Sequence, residues 1–111
     1  MIAHVVLFRT RADLAAKERD DLIAAFETAL RDIPSIRRAR VGPRVVHGRS
    51  YAALMKEDYP YAAIIEFDDL RELTAYLDHP AHGELAARFF SVLEVALFYD
   101  FDLNEDGSYQ A

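Results

Sequence analysis

The stretch Ile2-Ala3-His4-Val5-Val6-Leu7-Phe8 is short, continuous and rich in β-branched and aromatic residues, the composition of a strand buried on both faces. Successive side chains of a strand point to opposite sides, so Ile2, Val6 and Phe8 face one way and Val5 and Leu7 the other. A second stretch, Val95 to Phe101, behaves alike, with Ala96 and Phe98 opposing Val95, Leu97, Tyr99 and Phe101. A sheet built from such strands has two apolar faces, and both need cover.

Outward from these strands the hydrophobic period changes. From Asp13 to Asp32 the pattern is helical: Leu22, Phe26, Ala29, Leu30 and Ile33 form one stripe, charged residues fill the other positions, and Pro34 stops the helix. Ile36 to Val46 is a second strand that carries several arginines and Gly42-Pro43, features tolerated at a sheet edge. His47 to Tyr59 lacks a period and has the mixed polarity of a loop able to close as a lid. Tyr61 to Phe67 is a third strand. Asp69 with Glu72 three residues on has the spacing of a capping box, so a helix starts there. His79-Pro80 punctuates that helix, and the stripe resumes with Leu85, Phe89, Val92 and Leu93. Residues 104–111 are polar, which predicts a frayed tail after a domain spanning 1–103.

The order β-α-β-β-α-β is the split βαβ, ferredoxin-like plan: an α+β fold with four antiparallel strands and both helices on one face. Right-handed crossovers give the sheet order 4-1-3-2, with the proline-bearing strand at an edge. Two helices shield one sheet face only. In a chain of 111 residues the expected cover for the second face is another copy, packed sheet to sheet as a two-fold homodimer.

Composition narrows the chemistry. Cysteine is absent, which removes disulfides, thiolate catalysis and Cys-ligated metals. A formal net charge of −6 argues against nucleic acid as a partner; Arg37, Arg38, Arg40, Arg44 and Arg49 crowd one region, as on a solvated edge strand or an ion-pair surface between subunits. Neither a signal peptide nor a membrane-spanning apolar run is recognisable, so a cytoplasmic protein is expected. The glycines are isolated, leaving no phosphate-binding or Rossmann fingerprint. His79 and His82 are three apart, but Pro80 constrains the joint and no motif completes a metal site.

Met1 to Phe8, the turn Ile33-Pro34-Ser35-Ile36 and above all Tyr76-Leu77-Asp78-His79-Pro80-Ala81-His82 resemble the stress-responsive dimeric α/β-barrel (Dabb) family, over Ile2 to about Asp102. The resemblance implies the same fold and a homodimer. Most members have no assigned activity; a few plant members are polyketide cyclases that close a ring by aldol chemistry without metal or organic cofactor, and related dimeric barrels include cofactor-independent monooxygenases.

His82 is the candidate with most chemistry. It precedes Leu85 by three and Phe89 by seven, so it shares their helix face, and its place near the start of a helix disfavours the imidazolium. The resemblance assigns it the role of general base, with Tyr76 as its partner toward a carbonyl oxygen. It also turns the His4 face of the first strand toward the helices, where a cavity for a flat apolar molecule would have Ile23, Phe26, Ala63, Leu93 and Phe98 as walls, with Tyr61 and His79 beside it. The cyclases carry a histidine where Tyr61 stands, which implies a different substrate. Each of these residues also fits an ordinary satisfied core. Two functions follow: a stress-associated dimer that binds a small apolar or aromatic molecule, or a cofactor-independent enzyme of the cyclase, isomerase or monooxygenase kind. A purely structural oligomerisation module is the third.

Overall fold

The computed structural model describes residues 1–104 and Gly107. The chain runs β1 (Ile2–Thr10), α1 (Ala16–Asp32), β2 (Arg38–Pro43), α2 (Ser50–Leu54), β3 (Tyr61–Phe67), α3 (Leu70–Asp78), α4 (Pro80–Val92) and β4 (Leu93–Asp102). The strands form one antiparallel sheet in the order β2-β3-β1-β4, the 4-1-3-2 order expected, and this is the ferredoxin-like α+β fold. Pro43 lies at the end of edge strand β2, where its missing N–H costs the ladder little.

Helix ends follow local chemistry. At α1 the Glu18 carboxylate accepts from the Ala15 N–H at 3.4 Å and from Arg11 at 2.6 Å, so the helix begins at Ala16 rather than at Asp13. At α3 the Asp69 carboxylate accepts from the Glu72 N–H at 3.0 Å, which holds its carboxyl below the usual range. The joint at residues 79 and 80 separates α3 from α4, with Pro80 opening the new helix where no backbone donor is needed.

Residues 47–59 differ from the expected loop: they contain the five-residue helix α2, too short to show a period in sequence. The 104–111 tail falls almost wholly outside the described residues. Four of the five crowded arginines pair within the chain: Arg37 with Asp68 at 2.8 Å, Arg38 and Arg40 with Glu66 at 2.8 and 3.1 Å, and Arg44 with Asp58 at 2.7 Å. Glu66 is buried, and its hydrogen bonds from Arg38 pull its carboxyl below the ordinary range.

The helical layer is tightly packed at one end of the sheet. Ile2 and Phe67, paired across β1 and β3, meet Ala25, Ala29, Ile33, Leu73 and Leu85 there. The opposite sheet face, carrying Val5, Leu7, Ile64, Leu97, Tyr99 and Phe101, lacks the helical cover of the first among the described residues, and Tyr99 and Phe101 are 56% and 49% exposed. No helix among the described residues is long and apolar enough to cross a membrane. Because Phe67 is fully buried, Phe67→Ala is expected to cost about 3–5 kcal/mol, read by urea denaturation at fixed protein concentration; a loss within ~0.5 kcal/mol, as at surface sites, would show that this end is not the core.

Candidate functional site

Toward the other end of the sheet the two layers part and enclose a cleft of about 1000 Å³ between β1, β3 and β4 on one side and α1, α3 and α4 on the other. Its walls are mainly apolar. Phe8 stacks on Tyr61 at 5.5 Å between ring centroids, and Phe89 meets Phe8 and Phe98 edge-on at 5.0 and 5.9 Å. Tyr61, Phe90, Phe98 and Ile23 are all more than 40% exposed although they line this cleft, so its wall is an open apolar surface and not a close-packed core.

The polar groups gather on one part of the wall. Tyr76 lies 4.6 Å from His82 and 6.0 Å from His4, measured between ring centroids, and all three line the cleft. The β1–β4 register sets Asp100 opposite His4, and their side chains meet at 2.6 Å between Nδ1 and Oδ1. A carboxylate accepts, so His4 Nδ1 is the donor to Asp100.

Burial lowers the His82 pKa, the nearby His4 lowers it further, and a hydrogen bond with the Leu77 backbone pulls the other way. The net effect is a neutral imidazole at pH 7, and its position in the first turn of α4 acts in the same sense. Burial pushes the Tyr76 phenol up to about 12, so it stays a hydrogen-bond donor at any physiological pH. Its hydroxyl has no hydrogen-bond partner among the described residues.

Of the residues singled out from sequence, the structure brings His4, Ile23, Phe26, Tyr61, Ala63, Tyr76, His82 and Phe98 onto the cleft wall. Two do not belong there. Leu93 is the first residue of β4, not part of a helix, because α4 passes into β4 with no glycine or proline to mark the change. His79 caps α4: its Nδ1 accepts from the Ala81 N–H at 3.0 Å, so it holds the helix joint instead of facing a ligand. Residues 47–59, expected as a loop able to close as a lid, do not line the cleft. Asp100 was missed, since no motif links residues 96 apart; Phe8 was legible, sharing the His4 face of β1. Among the described residues no group of three or more histidine or acidic side chains is arranged to hold a metal ion.

Fold and cleft together define a ferredoxin-like α+β domain with an internal site of small-molecule size. The chain belongs to the stress responsive A/B barrel domain family, Dabb, whose sequence model matches residues 2–103. No curated protein matches the chain. Among solved structures it is similar to a hydroxynitrile lyase from Passiflora edulis, at 21% identity over 94% of each chain with a TM-score of 0.77. A dimeric ferredoxin-like protein of unknown function from Thermobifida fusca matches at 24% identity over 92% of this chain and 90% of its own, TM-score 0.71. SnoaB, a cofactor-independent oxygenase from Streptomyces nogalater, matches at 16% over 94% and 93%, TM-score 0.65.

The His82 environment is testable by NMR titration. A lowered folded-state pKa means that the unfolded chain binds more protons below about pH 6.5, so the contribution of His82 to stability is full above that pH and declines below it. A His82 midpoint under that of free histidine is expected; a midpoint at or above it would contradict a neutral, desolvated ring.

Proposed function

We propose that the protein is a homodimer that takes a small apolar molecule into its cleft and moves a proton on it without a cofactor, with His82 as base and Tyr76 as hydrogen-bond donor. The observation that carries this is the pairing of a neutral imidazole with an unpartnered, buried phenol on the wall of an otherwise apolar cleft. A C–H next to a carbonyl loses its proton to an imidazole only if the oxygen that becomes negative is stabilised, and a phenol donating into a desolvated site does that. His4, oriented by Asp100, adds a second polar contact beside the same phenol. Enzymes occur on this fold, as the hydroxynitrile lyase and the cofactor-independent oxygenase do.

The dimer rests on the uncovered sheet face. Val5, Leu7, Ile64, Leu97, Tyr99 and Phe101 form an apolar surface that a second copy would cover, and the relative from T. fusca is dimeric. Sedimentation equilibrium at micromolar concentration should give twice the chain mass, and Tyr99→Glu should shift it toward monomer; a wild-type monomer would overturn the dimer.

For the chemistry, deuterium uptake alpha to the carbonyl of 1-indanone in D2O gives a readout independent of the natural substrate. Wild-type protein should accelerate uptake, His82→Ala should abolish the acceleration and Tyr76→Phe should reduce it by roughly 10²-fold, with the dimer intact. Acceleration that survives His82→Ala unchanged would refute the assignment of the base.

A further inference from the structure

Although the chain carries a formal charge of −6, no aspartate or glutamate among the described residues lines the cleft, whereas Arg9, Arg11 and Arg19 all do. The three lie together in sequence order around one end: Arg9 near the end of β1, Arg11 just after it, and Arg19 in the first part of α1. Arg19 shares a helix face with Leu22, Ile23 and Phe26, which also line the cleft.

Their charges are not equally compensated. Arg9 pairs with Glu94 at 3.2 Å and Glu57 at 3.6 Å. Arg11 pairs through one terminal nitrogen with Glu18 at 2.6 Å, yet its Nε is buried without a hydrogen-bond acceptor, since Asp13 Oδ1 stands 3.6 Å away. The Arg19 guanidinium has no ion pair or hydrogen bond among the described residues. An exposed arginine beside an apolar wall in an acidic protein keeps its charge available, and a guanidinium is shaped to take a carboxylate by two parallel hydrogen bonds.

The polar group at His4, Tyr76 and His82 lies well away from this end. From His4 to Thr10 the chain advances by six strand residues, which at about 3.4 Å each is roughly 20 Å. Between the two ends lie Phe8, Phe89 and Phe98. A compact neutral molecule would leave one end of such a cleft unused.

We propose that the ligand of this cleft is an elongated amphipathic carboxylate, its apolar body along the phenylalanines and its anionic head at Arg19, with Arg11 beside it. This rests on the reading of the cleft as a small-molecule site and specifies the class of molecule it takes. A single uncompensated cation matches the single charge of a carboxylate. Arg19 thereby sets specificity and register: holding the head fixes which atom of the body reaches His82 and Tyr76.

Decanoate and decanol, competing at pH 8 with a bound neutral fluorescent probe such as Nile red, test this. Wild-type protein should bind decanoate about ten-fold more tightly than decanol, and added salt should erode that preference. Arg19→Leu, which keeps an apolar stem, should remove the preference while leaving decanol binding as it was, and Arg19→Lys should restore part of it. Equal binding of the two ligands by wild-type protein, or a preference untouched by Arg19→Leu, would overturn the anionic-head inference while leaving the apolar site standing. If neither ligand nor the probe binds, the small-molecule reading of the cleft fails as well.

Discussion

Phe67 and Tyr76 meet with ring centroids 5.1 Å apart, and at that contact the helical layer is pinned to the sheet. Phe67 is fully buried in the middle of the packed end, and Tyr76 is 2% exposed. Yet the far side of the same tyrosine looks onto His82 and His4 and so onto the cleft. Tyr76 is therefore the boundary between core and site. Its ring belongs to the close-packed interior, where volume changes are costly, and its hydroxyl belongs to the chemistry. The two roles are separable by the single oxygen that distinguishes Tyr from Phe.

Why the layers part beyond this boundary follows from side-chain size. At the packed end the α1 residues facing the sheet are Ala25 and Ala29, which let the helix approach closely. At the open end Phe8, Tyr61, Phe89, Phe90 and Phe98 come from both layers; Phe89 meets Phe8 and Phe98 edge to face, Phe8 stacks on Tyr61, and Phe90 tilts against Phe98, so bulky rings hold the layers apart. Cations concentrate at the far end of that space in a protein of opposite net charge, so the cleft has an apolar middle between two chemically different ends.

Much of the fold was readable because it follows from patterns that recur locally. The double-faced apolar runs at residues 2–8 and 95–101, the proline-bearing edge strand and the His79-Pro80 joint each act through a few neighbouring residues, and together they fix the strand order. The site was less legible. Tyr76, His82 and His4 stand out as residue types, but the Asp100 partner of His4 depends on strand register across 96 positions, which no local pattern encodes. His79 was expected beside the cavity, whereas it caps the helix that Pro80 opens. Leu93 was misplaced because a helix and a strand abut there without a breaking residue. The helix α2 escaped notice since five residues cannot display a 3.6-residue period.

The cleft exists only because the layers stand apart at the aromatic end. A crystal pressurised with xenon tests this most directly, because xenon enters apolar space that ordinary side chains do not fill. The account predicts xenon density among Phe8, Phe89 and Phe98 on the helix side of the sheet. A structure in which Phe89 packs down onto Ala63, with α1 and α4 closed against the strands and no xenon between them, would contradict it.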